Sequence, residues 1–222
     1  MATFKETQDK VRNRLNKGNV SPIDDKAGEI INFAIQFFSK NLYYFNKAYV
    51  DFDLVPEVED ISTNSQYPSN VLFLDSLSVQ DGSARYPIYK LNDEEYADAY
   101  GFSDPSNGRP CYYTQQADSI LVKPKPNIAY KIYIRYYKSY PNLVNDNDTN
   151  DFLQQAEEMI IERALEKFYS NYRIEPNLAA QAKQAWMELH EKLVVATTRQ
   201  NATGQSRPRL SPRGFNHRNY RY

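Results

Sequence analysis

The chain has 222 residues, of which 41% are hydrophobic and 25% charged, and its formal net charge is −1. This length allows one large domain or two small ones with a real core. The single cysteine, Cys111, excludes an intramolecular disulfide framework and a cysteine zinc site. No apolar run approaches the roughly 20 residues that a membrane-spanning helix needs. We therefore expect a reducing compartment and a product made in the cytoplasm.

The near-neutral total hides a strong segregation of charge along the chain. Residues 45–118 hold thirteen acidic and four basic side chains, whereas residues 119–145 hold five basic side chains and no acid. Residues 200–222 add five arginines, again without an acid. Opposite regional charges predict contacts between copies, or a polarised body that faces a charged partner. The alternative is an uneven but solvated surface.

Two amphipathic helices are predicted near the start. Residues 3–17 place apolar residues on one side at seven- and four-residue spacing. The second helix opens with Ser21 as its N-cap and Pro22 at the first helical position. Its continuous core stripe comprises Ala27, Ile30, Ile31, Ala34, Ile35 and Phe38.

The middle of the chain changes to patterns that are typical of β-strands. The stretch YVDFDLV (49–55) alternates polar and apolar residues, and NVLFLDSLSV (70–79) is apolar enough for a buried strand. Asp81-Gly82 predicts a hairpin turn into a return strand over 84–91. Because the return strand contains a proline, Pro87, we expect it at a sheet edge.

Three further elements follow. A short acidic helix over 92–101 has Asn92 as its cap, and residues 111–127 suggest a hairpin that turns at 116–118. Residues 128–137 show the cleanest strand pattern. Their apolar face comprises Ile128, Tyr130, Ile132, Ile134 and Tyr136, and their basic, aromatic face comprises Lys131, Tyr133, Arg135 and Tyr137.

Two more helices are predicted after this strand. The polar loop 145–150 supplies the N-cap of a helix over 151–172, and a second helix covers 176–198. Helices on both sides of a β-rich stretch most simply pair with each other. The predicted fold class is therefore α+β. It comprises an antiparallel helical bundle of two N-terminal helices (1–42) and two C-terminal helices (146–199), a β-rich insert (43–145) and an extended basic C-terminal arm (200–222).

No motif indicates catalysis. The chain lacks phosphate-binding glycine loops, the zinc-protease H-E-x-x-H pattern and the serine-hydrolase elbow. Two D-x-D pairs, Asp51/Asp53 and Asp146/Asp148, are the types of residue that bind a divalent ion or act as acid and base. The first pair has no third ligand at fixed spacing, and the second is explained as helix caps. His190 is interpreted as a boundary residue of a helix. We therefore predict no enzyme, no cofactor and no metal.

The order of these elements resembles the head-to-tail adaptor proteins of short-tailed bacteriophages. The resemblance covers about residues 20–195. It includes the aromatic cluster LYYFNKAYVDF (42–52), the short acidic helix and the turn Gly108-Arg109-Pro110. Its densest part is a run of spaced apolar residues, prolines and tyrosines, namely Ile120, Val122, Pro124, Pro126, Tyr130, Ile132, Ile134, Tyr136, Tyr137, Tyr140, Pro141 and Leu143.

This resemblance implies a structural virion protein at the head-tail junction, assembled in the host cytoplasm. Such adaptors form a homo-oligomeric ring, commonly twelve-fold, between the portal protein and a tail tube or nozzle protein. Double-stranded DNA passes through the lumen without specific binding. On this interpretation the basic, aromatic strand face (Lys131, Tyr133, Arg135 and Tyr137) contacts neighbouring subunits or tail components.

The resemblance also implies a role for the basic arm, which in this family inserts against the portal. Pro208 and Pro212 hold parts of it extended, which reduces the entropy lost on docking. Its arginines can form bidentate pairs with carboxylates, and apolar anchors lie between them. The residues predicted to dock are Arg207, Arg209, Leu210, Arg213, Phe215, Arg218, Tyr220, Arg221 and Tyr222.

Two other functions stay open from the sequence. Basic residues with interleaved aromatics also bind nucleic acid, so the alternative is a nucleic-acid-binding module that uses the arm and the 128–137 strand. An enzyme ranks third, because Asp51 and Asp53 are not part of a larger carboxylate cluster. For the arm alone, a solubilising tail is a further possibility.

Overall fold

In the computed structural model of the chain, residues 2–15, 26–99 and 107–203 are described. They form six α-helices and one six-stranded sheet, so the fold is of the predicted α+β class. The helices are α1 Phe4–Leu15, α2 Ala27–Ser39, α3 Asp93–Asp98, α4 Asp151–Gln155, α5 Glu157–Phe168 and α6 Pro176–Thr203. The strands are β1 Lys47–Asp53, β2 Val71–Asp81, β3 Ala84–Lys90, β4 Tyr112–Gln116, β5 Ser119–Lys123 and β6 Lys131–Lys138.

One hydrophobic core joins α1, α2, α5 and α6. All six residues of the stripe predicted for α2 are buried, and all of them except Ala27 belong to this core. Phe38 meets the ring of Trp186 from α6 at 5.5 Å between ring centroids, and Phe152 meets Tyr43 at 5.9 Å. Helical spacing puts the apolar residues of each helix on one face, and fully burying one such side chain contributes about 1.5–3 kcal/mol.

The sheet has its own core, which depends on the position of β6. The strand order is β1-β6-β2-β3-β4-β5, and β6 pairs antiparallel with both neighbours. Ile134 lies opposite Val50 of β1 and Leu77 of β2. Because side chains alternate between the two faces of a strand, the apolar sets of all three strands point to one side. The predicted alternation of β1 and the hairpins at Gly82 and at residues 117–118 are confirmed.

Polar side chains of α2 hold the segment that leads from β6 to α4. Asn32 accepts a hydrogen bond from the Leu143 N–H and donates one to its carbonyl, at 2.8 and 2.9 Å. One turn later, Gln36 donates to the Tyr140 carbonyl at 2.7 Å. The Tyr140 hydroxyl in turn donates to Asp151 at 2.7 Å, and burial raises the pKa of this tyrosine. These bonds satisfy backbone groups that have no sheet or helix partner.

The helix predicted over 151–172 is in fact interrupted. α4 ends at Gln155, and Ala156, whose φ of −143° is not helical, separates it from the start of α5 at Glu157. Phe152 and Leu153, before the break, are both buried in the helical core. A π-helical turn, Tyr169–Arg173, follows α5. The prediction that the loop 145–150 supplies the N-cap is confirmed, and the capping residue is Asn150, whose side chain accepts the Leu153 N–H.

α6 continues past the predicted end at residue 198 to Thr203. Its last turns rest against the start of the sheet. The Thr197 hydroxyl accepts the Tyr44 N–H at 3.3 Å, and Lys47 of β1 donates to Asn201 at 2.9 Å. The first residues of the predicted arm are therefore helical, because tertiary contacts extend a helix that the apolar periodicity alone would end.

The strand predicted from residue 128 begins at Lys131 instead, and the prediction that Ile128 faces the core is wrong. Ile128 is 53% exposed, whereas Ile132 and Ile134 are fully buried. The backbone before β6 bonds to the loop after β1: Leu54 donates to the Tyr130 carbonyl and Glu57 to that of Pro126. This pairing with a loop turns Ile128 outward.

β3 does not lie at a sheet edge, as its proline had predicted, because β2 and β4 flank it. However, β4 pairs only with Tyr89 and Lys90, so at Pro87 the backbone has a strand on one side alone. The missing N–H is therefore tolerated. The start of β2 is also less buried than predicted, since Leu72 is 38% and Phe73 43% exposed.

The start of α3 is confirmed, with a reciprocal capping box between Asn92 and Glu95. The predicted N-cap Ser21, the predicted first helical residue Pro22 and Gly101, the last residue of the helix predicted over 92–101, lie outside the described residues. Within the described part, α2 begins after Lys26 without a side-chain cap.

The contrast between two isoleucines tests the position of β6. Ile134→Ala should lower the free energy of unfolding by about 2–5 kcal/mol, because it removes buried methyl groups and leaves a cavity. Ile128→Ala should change it by less than about 0.5 kcal/mol, as expected for an exposed side chain. Urea unfolding followed by circular dichroism measures both. Equal losses would show that residues 128–130 belong to the core strand after all.

Candidate interaction surfaces

The second D-x-D pair organises a turn. The Asp148 carboxylate accepts the N–H groups of Asn145 and Val144 at 2.8 Å each, and these bonds hold its pKa below the ordinary value. The Asp146 carboxylate lies 3.3 Å from the Lys5 ammonium. The carbonyls of both aspartates also accept N–H groups at the start of α1. The predicted role as caps of the following helix is wrong, since Asn150 caps α4.

The other candidates for chemistry also have structural partners. Asp51 lies on the outer face of β1 and contacts Lys131 at 3.1 Å. His190 is half-buried, as interpreted from its place on the helix, and its Nδ1 lies 2.8 Å from the Tyr43 hydroxyl. Among residues 2–15, 26–99 and 107–203, no group of three or more histidines, cysteines or acids could hold a metal ion.

Basic residues of the 119–145 stretch lie beside acids of the 45–118 stretch. Because β6 inserts between β1 and β2, its outward cations face two strands from the acidic region. Lys131 pairs with Asp51 at 3.1 Å, and hydrogen bonding to this carboxylate raises the pKa of the lysine. The Arg135 guanidinium lies 3.8 Å from Asp75. The two opposite charge blocks of the sequence therefore meet within one chain.

The same pairing extends beyond β6. Lys125 lies 3.9 Å from Glu59, and Lys47 of β1 shares Asp75 with Arg135 at 3.9 Å. Exposed pairs of this kind contribute only about 0–1 kcal/mol each. Their main consequence is therefore electrostatic: the outer face of the sheet carries a mixture of charges instead of the purely basic strand that the sequence suggests.

The aromatic residues of this outer face are stacked. Tyr133 packs on Tyr49 with 6.0 Å between ring centroids, and the Arg85 guanidinium lies 3.9 Å from the Tyr133 ring. Tyr137 is 4% exposed, covered by Phe73 and by the Lys47 ammonium. Of the four residues predicted to contact a partner, Lys131 and Arg135 are exposed, Tyr133 is half-buried and Tyr137 is buried.

A groove between α2 and α6, of about 700 Å³, was not predicted from the sequence. Phe37 and Met187, which line it, are 40% and 50% exposed. Beneath it, Trp186 donates to Glu166 at 2.6 Å, and the Arg163 guanidinium lies 4.3 Å from the Phe37 ring. The signal in the sequence was weak, since Phe37 is one aromatic residue on α2 that lies outside the core stripe of this helix.

A family model described as SU10 adaptor protein matches residues 2–209. The chain belongs to the SU10 adaptor protein family. It is therefore a structural phage adaptor protein and a component of the virion. No curated protein matches the chain.

In this SU10 adaptor, the residues predicted to dock on a portal lie outside the described residues. They are Arg207, Arg209, Leu210, Arg213, Phe215, Arg218, Tyr220, Arg221 and Tyr222. Within the part that the structure describes, no helix has the length and apolar character that crossing a membrane requires.

Removing the acids of the outer face should convert it into a DNA-binding surface. In Asp51→Asn/Asp75→Asn, Lys131 and Arg135 lose their partners, so the affinity for duplex DNA should rise. The slope of log K against log salt concentration should become more negative by up to about 2. The control, Glu94→Gln/Asp98→Asn, removes the same charge from exposed positions of α3 and should not produce this slope. Fluorescence anisotropy with a labelled duplex measures both variants. If Lys131→Gln/Arg135→Gln abolished strong binding by the unmodified chain, the neutral face would be refuted.

Proposed function

We propose that this adaptor forms a homo-oligomeric ring at the head-tail junction of a short-tailed phage. The ring joins the portal protein to a tail tube or nozzle protein, and double-stranded DNA passes through its lumen without specific binding. Twelve copies are the expected number. The observation that carries this proposal is the match to the SU10 adaptor family over residues 2–209.

The distribution of exposed apolar side chains supports a ring. A ring needs head-to-tail contacts, in which one surface of a subunit meets a different surface of the next. The chain has two unlike surfaces of this kind. One is the outer sheet face with Tyr49, Phe73 and Tyr89, and the other is the α2–α6 side with Phe37 and Met187.

The two separate hydrophobic cores support different roles for the helices and the sheet within a subunit. The helical core, contributed mainly by regions 1–42 and 146–199, would be an antiparallel bundle that forms the ring wall. The separate sheet core lies in the 43–145 insert, whose outer face, with Lys131, Tyr133 and Arg135, would contact neighbouring subunits or the tail. Since Tyr137 is buried in the single chain, we assign it to support of this face.

Charge supports a portal-docking role for the C-terminal segment, residues 205–222. Lys131 and Arg135 of β6 are paired within the sheet, whereas this segment contains five arginines and no acid of its own. Arginine forms bidentate pairs with carboxylates, so an acidic surface of the portal is the partner of matching chemistry. Repetition around a ring makes even weak single contacts effective. The paired cations also count against the nucleic-acid-binding alternative for the sheet.

Charge variants of the C-terminal segment test this proposal. Changing its five arginines to glutamate should abolish assembly on the portal, because each bidentate pair becomes a repulsion. Changing the same five to lysine keeps the charge but removes the planar fork, and should weaken assembly without abolishing it. Native mass spectrometry and negative-stain microscopy of portal mixtures show whether a ring forms. A full ring with the glutamate variant would contradict portal docking by this segment.

A further inference from the structure

The α2–α6 groove offers an apolar floor with acids at its rim. Its floor includes Phe37, Trp186 and Met187, and Glu188 and Glu191 lie along its α6 side. Neither glutamate forms an ion pair with any residue that the structure describes. Lys183 also lines the groove, at its other end. A peptide that fits it would supply aromatic or aliphatic side chains together with positive charge.

The exposed apolar surface of α6 continues from this groove toward the end of the helix. Val194 and Val195 are 42% and 43% exposed, one to two turns beyond the groove. A second depression beside Val195 is lined by the same two glutamates, Glu188 and Glu191, together with Lys192 and Arg199. One continuous path therefore leads from the end of α6 back into the groove, with the same carboxylates beside both parts.

The C-terminal segment is long enough to follow that path. Met187 lies about 24 Å from Thr203, because a helix rises about 1.5 Å per residue. An extended chain covers that distance in about eight residues. A segment that reverses at Gly204 would therefore reach the groove at about residues 211–213. Its following residues, with Arg213, Phe215 and Arg218, would lie within the groove.

The composition of the segment matches the groove. Phe215 and the tyrosines near it are the side chains that pack on an aromatic floor. Arg213 and Arg218 flank Phe215, and guanidinium groups pair with carboxylates in a bidentate manner. A tethered segment also has a high effective concentration at a site on its own chain, so contacts that would be weak between separate molecules suffice.

We propose that residues 205–222 fold back along α6 and occupy the α2–α6 groove of their own chain before the adaptor meets a partner. The segment then covers Phe37 and Met187 in the free protein. This inference goes beyond the proposed portal docking and does not rest on it. If the segment docks first in the groove and later on the portal, portal binding removes it from the groove and exposes an apolar surface for a neighbouring subunit.

Cross-linking of the full-length chain tests the proposal. In a Cys111→Ser background, a Met187→Cys/Asn216→Cys variant, which keeps Phe215, should form a disulfide within one chain at low protein concentration. The matched control is Tyr89→Cys/Asn216→Cys, which should not cross-link, because Tyr89 is 61% exposed on the outer sheet face. Adding Glu188→Lys/Glu191→Lys should lower the ratio of docked to free segment about ten-fold, since two ion pairs become repulsions.

The only tryptophan, Trp186, provides a second readout that needs no cysteine. Acrylamide quenching of its fluorescence should increase in a full-length Arg213→Glu/Phe215→Ser/Arg218→Glu variant, and circular dichroism would verify the fold. Unchanged quenching, or cross-links that join different chains, would overturn docking within the chain. Portal binding is measured separately, so its failure would not be confused with an empty groove.

Discussion

The insertion of β6 between β1 and β2 is the constraint on which the electrostatics of this adaptor depends. It places a strand with outward cations between two strands whose outward positions carry Asp51 and Asp75. The inner side chains of the same three strands form the sheet core, so a shift of one residue would bring charges to the dry side. One register thus decides both the stability of the insert and the neutrality of its outer face.

The ion pairs on the outer face of the sheet affect which part of the chain can bind an acidic partner. A free basic strand would attract any polyanion, including the DNA that passes an adaptor. With those cations paired, the C-terminal segment is the stretch that combines positive charge with apolar anchors. The helical core supports this arrangement mechanically. Asn32 and Gln36 hold the link between sheet and helices, and the end of α6 rests against β1 at Lys47.

Much of the fold was predictable because its elements are periodic. The stripe of α2, the hairpin at Gly82, the alternation of β1 and the cap at Asn150 follow from local spacing and turn chemistry. Three features could not be predicted from local patterns, because each depends on contacts with segments far away in sequence. They are the interruption at Ala156, the outward turn of Ile128 and the extension of α6 to Thr203. For the same reason, the charge blocks suggested contacts between copies. The α2–α6 groove was missed because two helices form it together.

The most direct test of the central claim is an electron cryomicroscopy map of the portal with this adaptor bound. The account predicts density for residues 205–222 in contact with acidic portal side chains, and the Lys131–Asp51 and Arg135–Asp75 pairs intact within each subunit. A map in which Lys131 and Arg135 leave their carboxylates to grip the portal or the DNA, with no contact from the C-terminal segment, would contradict it.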